Sequence, residues 1–156
     1  MSQHDQPLVA PIERPHPARS DKARYPVTGV AIARYGDVDA NGHVNNLALE
    51  SLHETARAEF NQQIFPDIYR PVSRSVRLVS ASNVVHFLNE VHWPATIETG
   101  LGIGKLGRTS YVASTALFIG QTCVSLCDTV LVMLDDDGPT PIPDEVRAQL
   151  GKYLLG

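Results

Sequence analysis

Beyond the Tyr35 phenol, six of the twelve residues in Tyr35-Gly36-Asp37-Val38-Asp39-Ala40-Asn41-Gly42-His43-Val44-Asn45-Asn46, namely Asp37, Asp39, Asn41, His43, Asn45 and Asn46, have side chains that can give or take a hydrogen bond or a proton. The run lies between a strand-like stretch, 27–34, and a helix-like stretch, 47–60. A helix start carries unpaired backbone N–H groups and the positive end of the helix dipole, and both favour negative charge as it develops. A carboxylate held there can attack a carbonyl or take a proton from water. Asp39 is the preferred candidate because it lies nearer the helix start than Asp37. The plain structural alternative is that Asp39 caps the helix or stabilises a turn. Asn41 could contact substrate or water, or it and Gly42 could simply make the turn, since both tolerate left-handed backbone. His43 brings an imidazole, the side chain that ordinarily titrates near neutrality, so it is a second candidate base as well as a candidate structural hydrogen-bonder. Asn45 and Asn46 read as cap and positioning groups.

Other chemistries find little support. His43 and His53 are ten residues apart with no Cys nearby, His86 and His92 lie on a strand and a turn, and there is no His-x-x-x-His or Cys-x-x-Cys pair, so no metal site is expected. No Gly-x-Ser-x-Gly elbow is present. Gly100-Leu101-Gly102-Ile103-Gly104 has alternate glycines inside a strand pattern, without the strand-to-helix context of a dinucleotide site. Lys105 and Arg108 flank a turn glycine. Charged turns are usually only solvated, yet an acidic protein that binds a phosphorylated polyanion needs such a local cationic spot.

The elements that must position these groups follow from periodicity. The first 24 residues carry Pro7, Pro11, Pro15 and Pro17 and little apolar pattern, and are expected to form a flexible arm ahead of a single domain over 25–156. Leu49, Leu52, Ala56 and Phe60 fall at helical spacing, leaving Glu50, Arg57 and Glu59 for other faces. That predicts a helix of about four turns ending near Asn61. Strand patterns follow over 78–91, 96–105, 109–121 and 122–134, with turns at 105–108 and 120–121. The three strand glycines predict close backbone approach or strong curvature. A short helix is expected over 143–151. One helix followed by an antiparallel meander is an α+β pattern in which the sheet wraps the helix. A single helix leaves faces or edges of such a sheet uncovered, so at least a dimer is expected.

Composition sets broad limits. The 156 residues suit one domain, with 43% apolar and 19% charged residues. A net charge of −4 argues against broad binding to nucleic acid or anionic membrane. No apolar run approaches a membrane span, and the N-terminal stretch lacks the apolar core of a signal peptide, so a cytoplasmic location is expected. Cys123 and Cys127, four apart on one strand, should share a face and remain reduced and buried.

Order and motif resemble the hotdog-fold thioesterases of the 4-hydroxybenzoyl-CoA thioesterase type. That family often carries an Asp-x-Asp-x-x-Gly element between the first strand and the central helix, as in Asp37-Val38-Asp39-Ala40-Asn41-Gly42. The run Asp39-Ala40-Asn41-Gly42-His43-Val44-Asn45-Asn46 is also similar to a segment of plant acyl-carrier-protein thioesterases, and Pro141-Ile142-Pro143 leading into a helix is common in the superfamily. The resemblance spans roughly 27–150. It implies a hotdog fold and hydrolysis of an acyl-CoA or acyl-carrier-protein thioester by a homodimer or homotetramer. Coenzyme A enters only as part of the substrate, with no other cofactor. It matches Asp39 to the catalytic carboxylate, as nucleophile or as base for water, and Asn46 to the helix start that offers a backbone N–H to the thioester oxygen. Asn41 and His43 match polar partners of the plant-type motif. Glu54 falls where some members place a second acid, although it lies about 12 Å along an ideal helix from Asn46 and would need a lateral approach or a second subunit. Lys105 and Arg108 fall at the turn that holds the nucleotide end of coenzyme A. Leu49 departs from the family, occupying a place often taken by Tyr, and the plant-type enzymes have two hotdog repeats where this chain has one. The rival expectations are a hotdog hydratase or dehydratase and a non-catalytic acyl-CoA-binding module.

Overall fold

The computed structural model describes residues 7–9, 12–70 and 75–156. Strand β1 (Val27–Ile32) leads through the polar motif into helix α1 (Asn46–Ile64). Strands β2 (Arg77–Phe87), β3 (Thr96–Leu106), β4 (Ser110–Ile119) and β5 (Thr122–Asp135) follow, then the two-residue β6 (Gly138–Pro139) and helix α2 (Asp144–Leu150). The sheet order is β1-β3-β4-β5-β2, with β6 on β5, and every pairing is antiparallel. This is the expected α+β arrangement, a curled antiparallel sheet with one long helix against it.

Helix α1 starts where Asn45 caps it, its side-chain oxygen accepting the Ala48 N–H at 2.7 Å. It runs one turn beyond the sequence expectation because Gln62, Gln63 and Ile64 carry no helix breaker. It stops at Phe65, which precedes Pro66 and leaves helical geometry. Strand β2 ends at Phe87, short of residue 91, because the N–H groups of Leu88 and Asn89 both turn to the single carbonyl of Val124. The glycines of β3 do permit close approach: a Cβ on Gly100 would stand 2.7 Å from the Tyr25 ring.

Two apolar clusters grip the ends of α1. Near its start, Leu49 packs with Val44, Val91, Ile97, Leu117 and Val124. Near its end, Phe60 packs with Leu101, Ile103, Leu131, Met133 and Leu150. Between them the buried face of the helix is polar, with His53, Arg57 and Asn61 at successive i, i+4 positions. Arg57 was expected on an outer face. It is buried instead, because β5 and β4 offer it and its neighbours a row of hydroxyls.

Two further expectations change. Over 17–24 the arm forms two short 3-10 turns, Pro17–Ser20 and Lys22–Arg24, rather than a free segment. Arg19 pins it to the sheet, its Nη1 donating to both carboxylate oxygens of Asp128 at 2.8 and 3.0 Å. Residues 1–6, 10 and 11 lie outside the described residues. The cysteines are free and buried, but on opposite faces. A bulge where β5 meets Leu117 and Phe118 shifts the alternation, so Cys123 packs with Tyr25 and Phe118 on the outer face. Cys127 meets Asn83 and Thr129 on the helix side.

Candidate active site

The motif ahead of α1 folds as a short turn, then a tight loop. Tyr35–Asp37 make one 3-10 turn, and Val38 and Val44 pair as an isolated bridge that closes the loop between them. Asp39 N–H donates to the His43 carbonyl at 2.8 Å, and Gly42 N–H donates to the Asp39 carbonyl at 3.0 Å. Gly42 has φ +78°, in the left-handed region that glycine enters without penalty.

Within this loop the two carboxylates have different work. Asp37 is buried and locked to Arg34, whose backbone N–H and guanidinium both donate to it, the guanidinium at 2.9 Å. The Arg34 guanidinium holds the Asp37 carboxyl below the usual carboxylate range. Asp39 is exposed. Its Oδ1 accepts the N–H of Asn41 at 2.9 Å and of His43 at 3.3 Å, so the carboxylate does stabilise the turn. Its Oδ2 takes no hydrogen bond from the described residues.

Asn45 uses both ends of its amide. Oδ1 caps the helix, and Nδ2 donates to the Asp37 carbonyl at 2.8 Å, tying the turn to the helix start. The Ala48 N–H goes to that cap and the Leu49 N–H to the Asn45 carbonyl. The N–H groups of Asn46 and Leu47 find no acceptor among the described residues. These are the donors a helix start leaves for an anion.

A cleft of about 540 Å³ gathers these groups. Asp39, Asn41, His43, Asn45 and Asn46 all border it, joined by Leu47 and Leu49 from α1, by Phe87 at the end of β2 and by the segment 88–91 that follows. That segment is held in place because the Val44 N–H donates to the Val91 carbonyl at 2.7 Å. His43 is mostly buried at the rim, its Nε2 3.1 Å from a carboxylate oxygen of Glu90, and its ring meets His92 edge-on at 5.0 Å. From sequence Glu90 is not singled out, and His92 falls on a turn and is set aside as a ligand. They lie about fifty residues away, and only the Trp93-Pro94 pair marked a turn there.

The remaining candidates stand elsewhere in the chain. Glu54 is exposed and borders a separate cavity of about 150 Å³ with Arg57, Asn61, Tyr69, Leu78 and Ser80. Lys105 and Arg108 lie at the far end of β3. The cleft adjoins the start of that strand, where Ala33 bonds Ala95 and Ile32 pairs with Thr96. Ten residue steps along a strand put the turn roughly 30 Å away.

The polar face of α1 makes a second constellation, fully enclosed at His53. His53 is fully buried, with Nδ1 2.7 Å from the Thr115 hydroxyl and Nε2 2.8 Å from the Ser125 hydroxyl. Ser125 donates its own proton to the His86 carbonyl at 2.9 Å, which favours a protonated Nε2, and Thr115, 3.4 Å from the Cys127 carbonyl but 2.7 Å from Nδ1, then donates to Nδ1. Burial, with the nearby Arg57 charge adding to it, lowers the His53 pKa to about 3. The Arg57 guanidinium donates to Thr129 Oγ1 at 3.0 Å, and Tyr111 donates to Asn61. These groups partner one another and do not border the cleft.

A family model described as the thioesterase-like superfamily matches residues 33–150, most of the chain. Among curated proteins nothing matches. Among solved structures, the chain is similar to the PA5185 protein of Pseudomonas aeruginosa PAO1, with 25% identity, a TM-score of 0.77, and coverage of 87% of this chain and 96% of that one. It is similar at 27% identity to a Thermus thermophilus thioesterase complexed with coenzyme A and Zn, with a TM-score of 0.73 over 83% of this chain and 94% of that one. BH1999, a gentisyl-coenzyme A thioesterase, shares the fold at 16% identity, with a TM-score of 0.71 over 80% of this chain and 99% of that one. With the sheet wrapped on a single helix and the acidic loop ahead of it, the chain belongs to the thioesterase-like superfamily.

Proposed function

We propose that the protein hydrolyses an acyl thioester, with coenzyme A as the thiol and Asp39 as nucleophile or as base for water. One observation carries the reading: Asp39, with a carboxylate oxygen that takes no hydrogen bond from the described residues, borders the same cleft as Asn46 and Leu47, whose helix-start N–H groups find no acceptor among them. Those N–H groups suit the oxyanion that forms when the thioester carbonyl is attacked. Leu47 and Leu49 give the cleft an apolar wall for the acyl group. Membership of the thioesterase-like superfamily and likeness to a thioesterase complexed with coenzyme A support the same reaction.

The distance of Lys105 and Arg108 from this cleft favours a homodimer. Strand β2 is an edge of the sheet and exposes Val79, Val84 and Phe87. Its Phe87 end adjoins the cleft, and its Arg77 end lies opposite Leu134, beside the Thr109 end of β4. Antiparallel pairing of β2 with a second copy brings this chain's Phe87 end to the partner's Arg77 end. The partner's Arg108 and the partner's Lys105 then approach the cleft, where they would meet coenzyme A phosphates. The same operation carries the partner's Glu54 toward it.

Thiol release from short, medium, long and aromatic acyl-CoAs, and from acyl-carrier-protein thioesters, tests this on wild type and Asp39→Ala. Wild type releases thiol, and the variant loses about 10²–10⁴-fold. Equal rates in the two proteins would move the chemistry to His43 or to the partner's Glu54. Loss of C=C absorbance without thiol would instead indicate a hydratase, and coenzyme A binding without turnover a binding module. Mixing Asp39→Ala with Arg108→Ala tests the shared cleft: a heterodimer regains one complete cleft only if the two residues come from different subunits.

A further inference from the structure

We propose that His43, Glu90 and His92 form a binding site for a divalent transition-metal ion of the Zn²⁺ type at the rim of the cleft. The backbone assembles it. The bond from Val44 N–H to the Val91 carbonyl sets the two segments side by side, so His43, next to Val44, faces the residues that flank Val91. Val91 points into the core, and Glu90 and His92 on either side of it are exposed. One nitrogen from each histidine and one oxygen from Glu90 lie within 4.8 Å of one another.

The spacing suits a tetrahedral ion. Ligand atoms about 2.0–2.2 Å from a tetrahedral ion stand roughly 3.4 Å apart. The Glu90 oxygen lies 3.1 Å from His43 Nε2 and 3.8 Å from His92 Nε2, on either side of that figure. Glu90 and His92 are about two-thirds exposed, at 66% and 68%, so small side-chain rotations can close the third edge. Two imidazoles and a carboxylate select a borderline ion. Mg²⁺ and Ca²⁺ prefer all-oxygen sites, whereas Zn²⁺ takes this donor set and leaves a fourth position open. The ion would tie the Asp39–His43 loop to the 90–92 segment across the cleft mouth. The site stands independently of the reaction assigned to the cleft.

The test is calorimetric titration of tag-free, chelator-treated full-length protein with Zn²⁺, repeated with Co²⁺ to read the visible absorption of a low-symmetry nitrogen–oxygen site. One equivalent per chain is expected, with His92→Ala and Glu90→Gln each weakening binding about tenfold or more. His16→Ala, remote from the cluster, should leave the affinity unchanged. Both substituted positions are exposed, so these variants fold. Wild-type binding no tighter than that of the His92→Ala/Glu90→Gln double variant would overturn the proposal and reduce the cluster to a hydrogen-bonded histidine–glutamate pair. Co²⁺ spectra that are identical in wild type and the double variant would do the same.

Discussion

The loop ahead of α1 and the sheet-facing side of α1 are both polar, and they sit on the same helix within a few turns of each other. In the loop, Asp39 is exposed, and among the described residues one of its carboxylate oxygens meets no donor and the first helix N–H groups meet no acceptor. On the helix face, His53 is fully enclosed, each ring nitrogen has a hydroxyl partner, and its pKa falls to about 3. A strongly shifted pKa often points to a functional site. Here the shift belongs to a closed structural network, and the groups placed for chemistry are those with bonding capacity to spare. Unused donors and acceptors facing a cleft separate the two regions better than the size of a pKa shift does.

The largest effect that could break this contrast comes from Asp39→Asn. The amide keeps an oxygen for the Asn41 and His43 N–H groups, so the loop should hold and the melting temperature should stay close to wild type. It cannot act as nucleophile or base, so thiol release should fall about 10²–10⁴-fold. A variant that loses stability along with activity would show that Asp39 serves the turn first.

His53→Leu should behave in the opposite way. It removes the partner of the Thr115 and Ser125 hydroxyls inside the sheet, with a destabilisation of about 1–3 kcal/mol read from urea midpoints. The Ser125 bond to the His86 carbonyl survives, which keeps the loss below that of a fully orphaned pair. Turnover per folded molecule should be unchanged. A large fall in turnover would draw the helix face into the reaction.

Local pattern carried much of this structure in the sequence. The helix, the four long strands and the 120–121 turn follow from periodicity and glycine placement, because each depends on near neighbours. The loop was readable for the same reason: a cap, a left-handed glycine and two carboxylates lie within nine residues. What sequence hid depends on distant partners. The hydroxyls that bury His53 come from residues 62 and 72 positions away, so nothing near His53 announced its enclosure. Arg57 read as a surface charge until Thr129 supplied an acceptor. Glu90 and His92 meet His43 only because two segments cross at Val44 and Val91. The bulge that separates the faces of Cys123 and Cys127 likewise arises from strand pairing and leaves no local mark.

The shifted histidine also sets a pH dependence. The unfolded chain takes a proton at His53 near pH 6.5, and the folded chain only near pH 3. Stability from this group is therefore complete above about pH 6.5 and is lost as the pH falls through that window, because the unfolded state binds more protons. The slope is about 1.4 kcal/mol per pH unit, which amounts to about 2 kcal/mol at pH 5. Urea unfolding at pH 7 and pH 5 should show wild type losing about that much more than His53→Leu. An equal loss in both proteins would mean that His53 is not the group responsible.

The smallest effect falls on the residue that joins the two regions. Asn45 belongs to the loop by sequence, yet its amide is fully engaged as cap and tie, which is how the helix face behaves. Asn45→Ala should cost about 1 kcal/mol, the usual loss of an N-cap. Asn45→Asp separates cap from chemistry. Aspartate caps as well as asparagine, and its charge is favourable at a helix start, but it replaces the Nδ2 donor to the Asp37 carbonyl with an acceptor, so stability should return only in part. The same fixed negative charge beside the Asn46 and Leu47 N–H groups opposes an oxyanion forming there, so kcat should fall while substrate binding is largely kept. If Asn45→Asp instead turns over at the wild-type rate, the helix start is not where the thioester oxygen sits, and the site's open donors must be sought around His43.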